Sequence, residues 1–413
     1  MSRLGSGLHD EIYARIREAV DVLEGVVHRT PLSGSMTLSR MVGGDVYLKL
    51  ENLQKVGAFK VRGAYYKLWK EKARGARSCV TASSGNHAQG VAYSAGVLGM
   101  RATVYMPRFT ATYKVEATRG YGAEVVLVGE SYEDAYEAAV EHARREGAPF
   151  IHPFDDLDIV AGQGTIGVEI IEDLSDVDVI LVPVGGGGLI SGIAVAVKRL
   201  RPGAKVVGVQ PRGAAAMCES FKRGEIVEVE RPFSVADAVL VRRPGELTFK
   251  VVSGLVDDMV VVDDSDIARA LFLLMERVKL VAEPAGALGV AAMLSGAVDV
   301  SGRKVVAVIS GGNVDMSLLS EIIAKGLLLE SRHIRIQGVL PDRPGQLKRV
   351  IDIIAEMNLN IVDVKHERGN PLVNPGLAMV TLEVEVPNRE VAEQLVERLR
   401  KCGLDFRLVP PGE

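Results

Sequence analysis

Short apolar segments alternate with longer mixed segments over the first 330 residues of the chain. Runs such as Val179–Val184 and Val305–Ile309 are continuously apolar, and each precedes a segment long enough for a helix. Continuous apolar runs are typical of strands buried on both faces. The alternation of strands and helices therefore predicts an α/β unit in which helices cover both faces of a parallel sheet.

The pattern changes at residue 331. A strand over 334–340 is followed by a turn, a helix, two more strands, a second helix and a short strand at 406–409. The apolar positions that mark one face of these elements are Leu347, Val350, Ile351, Ile354, Val380, Leu382, Val384, Val386, Val391, Leu395 and Leu399. The order β-α-β-β-α-β predicts an α+β ferredoxin-like unit over residues 331–413.

Lys60 lies among apolar neighbours in the segment Gly57–Ala64, at the predicted start of a helix. Burial of a lysine amine beside the positive charge of Arg62 favours loss of its proton, and a neutral amine is a nucleophile. The alternative is a surface lysine whose aliphatic stem packs on an apolar patch. Two glycine loops farther along the chain favour the chemical interpretation.

The first loop, Ser83–Gly90, lies between a predicted strand at 78–82 and a predicted helix. A polar turn at a helix N-terminus offers free backbone N–H groups, here together with hydroxyl, amide and imidazole groups, which suits a carboxylate ligand. A turn that only caps the helix would need one Ser or Asn. We therefore predict a carboxylate-binding turn.

The second loop consists of four consecutive glycines, Gly185–Gly188, between the apolar strand at 179–184 and a predicted helix at 189–200. Such a backbone can fold into a nest of N–H donors that holds a phosphate at the helix N-terminus. The alternative is a tight strand-to-helix turn. A dinucleotide site is disfavoured because no Gly-x-Gly-x-x-Gly register fits and the next strand ends in Gln210, and a P-loop lacks its Gly-Lys-Ser/Thr.

A lysine nucleophile and a phosphate site without a nucleotide motif together indicate pyridoxal phosphate, whose aldehyde forms a Schiff base with lysine. A third loop, Ser310–Asp315, follows the predicted strand at 304–309 and can bring the Ser310 hydroxyl to the pyridine nitrogen of the cofactor. The alternative for this loop is an ordinary connection at the end of a parallel strand.

These loops and three further motifs make the chain similar, over nearly its whole length, to the threonine ammonia-lyase (threonine dehydratase) and serine racemase family of fold-type-II pyridoxal phosphate enzymes. The motifs, in chain order, are Phe59-Lys60, Ser84–His87, Ile151–Asp156 with Gly162–Thr165, Gly185–Gly188, Glu283–Ala287 and Ser310–Asn313. The resemblance implies a two-lobed catalytic domain at residues 1–330. Residues 50–149 would form a small mobile lobe, with the cofactor in the cleft between the lobes.

The resemblance also implies a role for each site residue. Lys60 is the Schiff-base lysine that moves the proton, and Ser84 is placed to act as an acid on the opposite face of the substrate. The residues implied to contact the cofactor are Phe59 at the ring, Asn86 at the 3-hydroxyl, Gly185, Gly186, Gly187 and Gly188 at the phosphate, and Ser310 at the pyridine nitrogen. Those implied for the substrate carboxylate are Ser83, Ser84, Gly85 and His87.

The sequence departs from the family at three positions. Ala58 stands where relatives often carry Ser, so a hydroxyl near the lysine is missing. Gln210 and Ala216 stand where cation-dependent members typically carry acids, and without those oxygen ligands we predict no metal. Arg212 is a candidate to supply a positive charge in place of the cation.

The parts predict a carbon–nitrogen lyase that deaminates L-threonine by β-elimination to 2-oxobutanoate and ammonia, and L-serine to pyruvate. A neutral Ser310 cannot hold the pyridine nitrogen protonated, which favours prompt expulsion of the β-hydroxyl over a long-lived carbanion. One alternative is a serine dehydratase or racemase on the same scaffold. Another is a non-catalytic amino-acid sensor, which the retention of Lys60, the four glycines and Ser310 disfavours.

The turn Asp342–Gly345 makes the C-terminal unit similar to an ACT domain, a regulatory module that binds amino acids between paired copies. The resemblance implies Asp342 and Asn360 as ligand contacts, and Gly345 can present backbone donors to a carboxylate. By analogy with isoleucine biosynthesis, which consumes 2-oxobutanoate, we expect isoleucine or valine as an allosteric effector of a homodimer or homotetramer. The alternative is a dimerisation module without ligand.

Charge, apolar runs and cysteine content indicate which classes of partner and which cellular location to expect. The net charge of −4 gives no reason to expect nucleic acid or an anionic membrane. The uncharged stretch Val179–Val197 is nearly long enough to cross a bilayer, but Pro183 and the four glycines interrupt it, so we predict a strand, a loop and a buried helix. Three cysteines without ligand spacing and an N-terminus without an apolar signal segment predict a cytoplasmic protein.

Overall fold

The computed structural model describes residues 3–410, with side chains from residue 7 onward. Two compact units are present, residues 1–314 and residues 315–413. The first unit ends before the helix Met316–Leu329, which groups with the second. The domain boundary after residue 330 rested on the change of sequence pattern and stays a prediction.

Nine strands lie within the described part of the first unit, residues 3–314. In chain order they are β1 Leu32–Gly34, β2 Asp45–Leu50, β3 Ser78–Ala82, β4 Arg101–Met106, β5 Glu124–Leu127, β6 Val179–Pro183, β7 Lys205–Pro211, β8 Asp258–Val262 and β9 Lys304–Ile309. Six of them form one sheet in the order β1-β2-β9-β6-β7-β8, and β3-β4-β5 form a second. All pairings are parallel except that of β1 with β2, which confirms the predicted parallel-sheet architecture.

Helices cover these sheets. In chain order they are α1 Arg3–Leu23, α2 Met36–Val42, α3 Lys60–Ala73, α4 Asn86–Leu98, α5 Thr112–Gly120, α6 Tyr132–Glu146, α7 Leu157–Asp173, α8 Gly188–Leu200, α9 Ala216–Arg223, α10 Glu246–Leu255, α11 Asp264–Leu273 and α12 Leu288–Leu294. Every residue of β6 is buried, which agrees with its continuous apolar sequence. The small sheet β3-β4-β5 lies within the range predicted for the small lobe, whose mobility stays a prediction.

Glycines let three helices approach closely enough to position the site. A Cβ atom on Gly162 of α7 would lie 2.5 Å from the Cα atom of Gly63 in α3. A Cβ atom on Gly192 of α8 would lie 2.3 Å from the carbonyl oxygen of Val160 in α7. Contacts this short exclude any side chain at the two glycines. Helix α3, which begins at Lys60, is thereby held against α7, and α7 against α8.

The second unit has the order β-α-β-β-α-β after a first helix. Its elements are α13 Met316–Leu329, β10 His333–Pro341, α14 Gln346–Glu356, β11 Asn360–Glu367, β12 Leu377–Glu385, α15 Arg389–Lys401 and β13 Phe406–Val409. The strands form one antiparallel sheet in the order β11-β12-β10-β13, which confirms the ferredoxin-like prediction. Its core joins alternate strand residues such as Ile336 and Leu382 to helix residues such as Ile354 and Leu395.

Residues 179–197 form strand β6, the glycine loop and most of helix α8, as predicted. Over the described residues 3–410, no helix is both long enough and apolar enough to cross a membrane.

Candidate active site

A cleft of about 890 Å³ opens in the first unit and collects the predicted catalytic residues on its walls. The residues predicted from the sequence that line it are Phe59, Lys60, Ser83, Ser84, Gly85, Asn86, His87, Gly185, Gly186, Gly187, Gly188 and Ser310. They come from loops at the carboxyl ends of strands β3, β6 and β9 and from the start of helix α3. That is where a parallel α/β sheet places its ligands.

Lys60 is the first residue of helix α3, and its Nζ atom lies 5.3 Å from the centre of the Phe59 ring. The amine donates a hydrogen bond of 2.8 Å to the carbonyl oxygen of Pro153. Burial lowers the pKa of Lys60 to about 8, while the nearby carboxyl of Glu283 acts in the opposite direction. A substantial fraction of the amine is therefore neutral at mildly alkaline pH, as a nucleophile requires.

Arg62 does not lower the pKa of Lys60, contrary to the sequence interpretation. Its guanidinium is buried and binds Glu51 at 2.7 and 2.8 Å and Glu169 at 2.6 and 3.0 Å. Lys49 joins the same group through a contact of 2.6 Å with Glu169. These four side chains neutralise one another, so the lowered pKa of Lys60 comes from burial.

The turn before helix α4 presents backbone donors to the cleft. The helix begins at Asn86, and its N-cap residue is Gly85, which has no side chain to occupy the first N–H groups. The Ser83 hydroxyl accepts a hydrogen bond of 3.2 Å from the Gly85 backbone N–H. Ser84 lies in the same wall of the cleft. The arrangement suits a carboxylate held by a helix N-terminus.

His87 contributes to this turn as a neutral side chain. It is buried, and its Nε2 atom lies 3.1 Å from the carbonyl oxygen of Ile151, which makes Nε2 the protonated nitrogen. Burial lowers the pKa of His87 to about 3. Its Nδ1 atom has no hydrogen-bond partner within the described chain. A substrate carboxylate would therefore meet the backbone N–H of His87, since an unprotonated Nδ1 repels an anion.

The four-glycine loop precedes helix α8 and requires glycine for steric reasons. Gly187 has φ of 96°, a left-handed conformation that side chains disfavour. A Cβ atom on Gly186 would lie 2.4 Å from the Phe154 ring. The carbonyl of Gly186 accepts a hydrogen bond of 2.6 Å from the Thr248 hydroxyl, which holds the loop in place. The result is an uncapped helix N-terminus with N–H groups at its start, which is the backbone arrangement that binds phosphate.

The segment Ile151–Asp156 joins the site elements to one another, a role that the sequence did not reveal. Pro153 accepts the hydrogen bond of Lys60. The Nδ1 atom of His152 accepts bonds from the backbone N–H groups of Phe154 and Asp155 at 3.2 and 2.8 Å. The carboxylate of Asp155 accepts two backbone bonds of 3.1 Å at the start of α10, from Glu246 and Thr248. The motif was visible in the sequence, but its contacts are with distant segments.

Ser310 follows strand β9 and is buried on the cleft wall, where its carbonyl oxygen accepts a bond of 3.1 Å from the backbone N–H of Phe59. Two further polar residues line this wall, Glu283 and Asn313.

Both residues are hydrogen-bonded to Asn86. Asn86 donates through Nδ2 to both carboxylate oxygens of Glu283 at 2.9 Å, and its Oδ1 accepts from Asn313 Nδ2 at 2.9 Å. Both residues belong to motifs that the sequence shows, but no role for either was predicted.

Gln210 and Ala216, which stand where cation-dependent relatives typically carry acids, are neutral side chains. Gln210 is fully buried, and its Oε1 atom accepts a bond of 2.7 Å from the backbone N–H of Cys218. Arg212 is largely exposed and pairs with the Asp263 carboxylate at 2.6 Å, so its charge is balanced at the surface. Among the described residues, no group of three or more His, Cys, Asp or Glu side chains is arranged to hold a metal ion.

We expect exhaustive chelation to leave activity and melting temperature almost unchanged, because Gln210 and Ala216 supply no anionic oxygen ligand. Enzyme assays and thermal melts with and without chelator measure both effects. As a control, Gln210→Glu combined with Ala216→Asp introduces two acids, and added magnesium or calcium should then raise the melting temperature. A large loss of activity or of melting temperature in the chelated wild-type protein, reversed by magnesium or calcium, would contradict the prediction.

The structure separates the predicted effector contacts within one chain. Asp342 follows β10 at the end where Pro341 pairs with Leu377, close to Gly345 at the start of α14. Asn360 begins β11 opposite Glu385, at the other end of the sheet. Residues at opposite ends of strands of this length cannot contact one small ligand. A shared site would need Asn360 from a second copy, in line with ligand binding between paired copies.

The residues present fit pyridoxal phosphate in charge and in shape. Lys60 supplies an amine of lowered pKa, and Gly186–Gly188 form a cradle that an added Cβ atom would fill. Asn86 and Ser310 are polar groups on the same cleft walls. The cleft thus offers an amine for an aldehyde, N–H groups for a phosphate, and an amide and a hydroxyl for a ring with polar substituents.

Two protein-family models match the chain in order. Residues 23–311 match the model described as pyridoxal-phosphate dependent enzyme, and residues 330–403 match the ACT domain. The chain is 47% identical over 396 residues to a protein from Thermotoga maritima named L-threonine ammonia-lyase, covering 95% of this chain and 98% of that one.

Solved structures also match most of the chain. One neighbour is the processed form of threonine deaminase isoform 2 from Solanum lycopersicum, with a TM-score of 0.73, 35% identity and coverage of 76% of this chain and 88% of that chain. Another is maize serine racemase, with a TM-score of 0.72, 36% identity and coverage of 76% and 97%.

Proposed function

Because this chain belongs to the family of pyridoxal-phosphate-dependent enzymes and its cleft brings Lys60 together with a carboxylate turn and a phosphate loop, we propose that it is an L-threonine ammonia-lyase. It deaminates L-threonine to 2-oxobutanoate and ammonia with pyridoxal phosphate as cofactor. The near-full-length relative from Thermotoga maritima bears that activity in its name. The observation that carries the proposal is Lys60, a lysine with a lowered pKa placed in the cleft between both loops.

Different residues of the cleft bind the substrate, hold the cofactor and transfer the proton. When bound, pyridoxal phosphate supplies the conjugated ring that takes up the charge left when a proton leaves the substrate Cα. Backbone N–H groups at the start of α4 hold the substrate carboxylate, and those at the start of α8 hold the cofactor phosphate. Lys60 Nζ accepts the Cα proton in its neutral form, and the lowered pKa increases the fraction of the amine that is neutral. Ser84 stands in the carboxylate wall as the candidate acid.

We expect the rate at which cofactor-free protein captures pyridoxal phosphate to rise with pH, to reach half of its maximum near pH 8 and to level off above it. Burial lowers the pKa of Lys60 to about 8, and only the neutral amine attacks an aldehyde, so each unit below pH 8 reduces the reactive fraction about tenfold. Stopped-flow absorbance at a series of pH values measures this rate. A rate that still rises steeply above pH 9 would contradict the lowered pKa.

Serine is expected as a slower or weaker substrate of the same site. It lacks only the methyl group of threonine, and a pocket rarely discriminates against one methyl by more than about 1–3 kcal/mol. Racemisation of serine is the competing function, since maize serine racemase shares the fold and Ser84, the candidate acid for the second face, lines the cleft.

A substrate panel tests the proposal. The purified protein, loaded with pyridoxal phosphate, is incubated with L-threonine, L-serine and D-serine, and both oxo acids and inverted amino acids are measured. We expect 2-oxobutanoate from L-threonine at the highest kcat/KM, pyruvate from L-serine at a lower one, and little inversion. Inversion of serine that outpaces elimination would assign the protein as a racemase, and no reaction with bound cofactor would favour an amino-acid sensor.

We propose further that the C-terminal unit binds isoleucine or valine between paired copies in a homodimer or homotetramer. Helix α14 begins after Gly345, which has φ of 86°, without a side-chain cap, a helix start that suits a carboxylate, and the partly buried Leu347 lies beside it. An effector acts only through different affinities for two states of the protein. Binding of isoleucine or valine must therefore shift the protein toward a state with a different catalytic rate.

We expect a chain shortened to residues 1–330 to deaminate threonine without responding to isoleucine or valine. The first unit has its own core, and maize serine racemase matches only 76% of this chain while being covered to 97% of its own length. Titration calorimetry and kinetics of the full chain, with Asp342→Ala as a matched variant, measure the response. Absence of heat and of any kinetic effect in the full chain would leave the unit as a dimerisation module.

A further inference from the structure

Glu283 places a carboxylate inside the cleft wall, but the proposed deamination of threonine assigns this carboxylate no role. The residue is 4% exposed and precedes the short helical turn Pro284–Ala287. Its backbone N–H donates to the carbonyl of Gly311 at 2.9 Å. A Cβ atom on Gly311 would lie 2.5 Å from Glu283 Oε1, so glycine at that position makes room for the carboxylate.

The hydrogen bonds of this carboxylate fix the orientation of Asn86. Both oxygens accept from Asn86 Nδ2 at 2.9 Å. On the other side, Asn86 Oδ1 accepts from Asn313 Nδ2, which also donates to the carbonyl of Val56 at 2.8 Å. The Asn86 amide therefore cannot turn over without losing bonds on both sides, and its N–H₂ group is the end that remains on the Glu283 side.

The charged groups that face Glu283 are few. Lys60 from α3, Lys114 from α5 and Asp237 from the turn 237–239 act on it electrostatically. No lysine, arginine or histidine nitrogen within the described residues lies at ion-pair distance from its carboxylate. Burial raises the pKa of Glu283 to about 7, and its charge in turn raises that of Lys60. The carboxylate thus acts on the reactive amine through space.

We propose that Glu283 is a positioning residue for the cofactor, which turns the N–H₂ group of Asn86 toward the 3-oxygen of the pyridine ring and places a negative charge near the nitrogen of Lys60. This inference rests on pyridoxal phosphate being bound at Lys60. An amide nitrogen has two hydrogens, and the carboxylate needs only one, so the second is available to an acceptor. The 3-oxygen would then be received as an anion, and the nearby nitrogen would keep its proton more strongly.

Two substitutions separate the geometric effect from the charge. Glu283→Gln keeps an oxygen within reach of Asn86 but removes the charge. Glu283→Asp keeps the charge but shortens the side chain by one methylene group, so its carboxylate no longer reaches Asn86 in the same geometry. Glu137→Gln is the matched control, since Glu137 lines the same cleft at an exposed position away from this network.

The measurements are the dissociation constant of pyridoxal phosphate and the pH at which the visible absorbance of the lysine-bound cofactor changes. In Glu283→Gln we expect this midpoint to fall by about one pH unit with nearly unchanged affinity. In Glu283→Asp we expect affinity to fall at least about tenfold while the midpoint stays close to that of the wild type. Glu137→Gln should match the wild type in both.

Either of two results would overturn the proposal. One is an unchanged midpoint in Glu283→Gln, and the other is an unchanged dissociation constant in Glu283→Asp. Thermal melts of the cofactor-free variants show whether each is folded, and the glutamine variant, which conserves shape, still tests the charge if the aspartate variant unfolds. Failure of the wild-type protein to form the lysine-bound chromophore would instead overturn the proposed function.

Discussion

Lys60→Ala will abolish the visible absorbance of the lysine-bound cofactor and lower kcat for threonine deamination by at least about 10⁴-fold. Two contributions disappear together, because the same Nζ atom holds the cofactor and accepts the Cα proton. The fold should survive, since Nζ makes one hydrogen bond, to Pro153, and lines an open cleft. Absorbance spectra, oxo-acid assays and thermal melts of the variant measure the three effects.

Lys55→Ala is the matched control for Lys60→Ala. Lys55 lies five residues earlier in the chain but is exposed, so its removal should leave absorbance and turnover close to wild type. Retention of more than about one hundredth of wild-type turnover by Lys60→Ala would contradict the assigned role, because a base other than Lys60 would then be needed to explain the rate. Residual cofactor held by the phosphate loop alone would absorb as free aldehyde.

Local sequence determined the elements of the fold and the loops of the site. Strands predicted at 78–82 and 304–309 are β3 and β9 with the same bounds, because short, largely apolar or β-branched runs are recognisable without knowledge of their partners. Four consecutive glycines indicate from sequence alone a backbone that side chains would disfavour. The structure agrees, since Gly187 has positive φ and Gly186 lies against the Phe154 ring. The β-α-β-β-α-β order of the C-terminal unit followed from the spacing of its apolar residues.

Contacts between distant segments could not be predicted in the same way. Arg62 was placed beside Lys60 by sequence proximity, yet helix geometry turns its side chain toward Glu51 and Glu169, the second of which lies 107 residues away. Glu283 and Asn86 meet across 197 residues. Asp342 and Asn360 were grouped by resemblance, whereas the strand directions put them at opposite ends of one sheet. Each of these depends on which elements pair in three dimensions.

Arg62→Met will destabilise the first unit by about 3–5 kcal/mol, the largest stability effect expected from a single substitution outside the apolar core. Arg62 is 1% exposed, and Glu51 is fully buried. Methionine fills much of the same volume but leaves the Glu51 carboxylate without its guanidinium partner, and an unpaired buried charge is costly. Urea unfolding of the cofactor-free protein, followed by tryptophan fluorescence at Trp69 and by circular dichroism, measures the loss.

Arg74→Ala is the control for this loss, because it removes an ion pair at the end of the same helix. Arg74 pairs with Glu71 at 2.8 Å but is 61% exposed, and exposed pairs contribute about 0–1 kcal/mol. The double variant Arg62→Met with Glu51→Gln should be more stable than the sum of the single losses predicts, since it removes the buried charge together with its partner. A loss in Arg62→Met no larger than in Arg74→Ala, or strict additivity in the double variant, would show that water or another group compensates Glu51. The ion pair between Arg62 of α3 and Glu169 of α7 would then add little to the glycine contacts that hold α3 against α7.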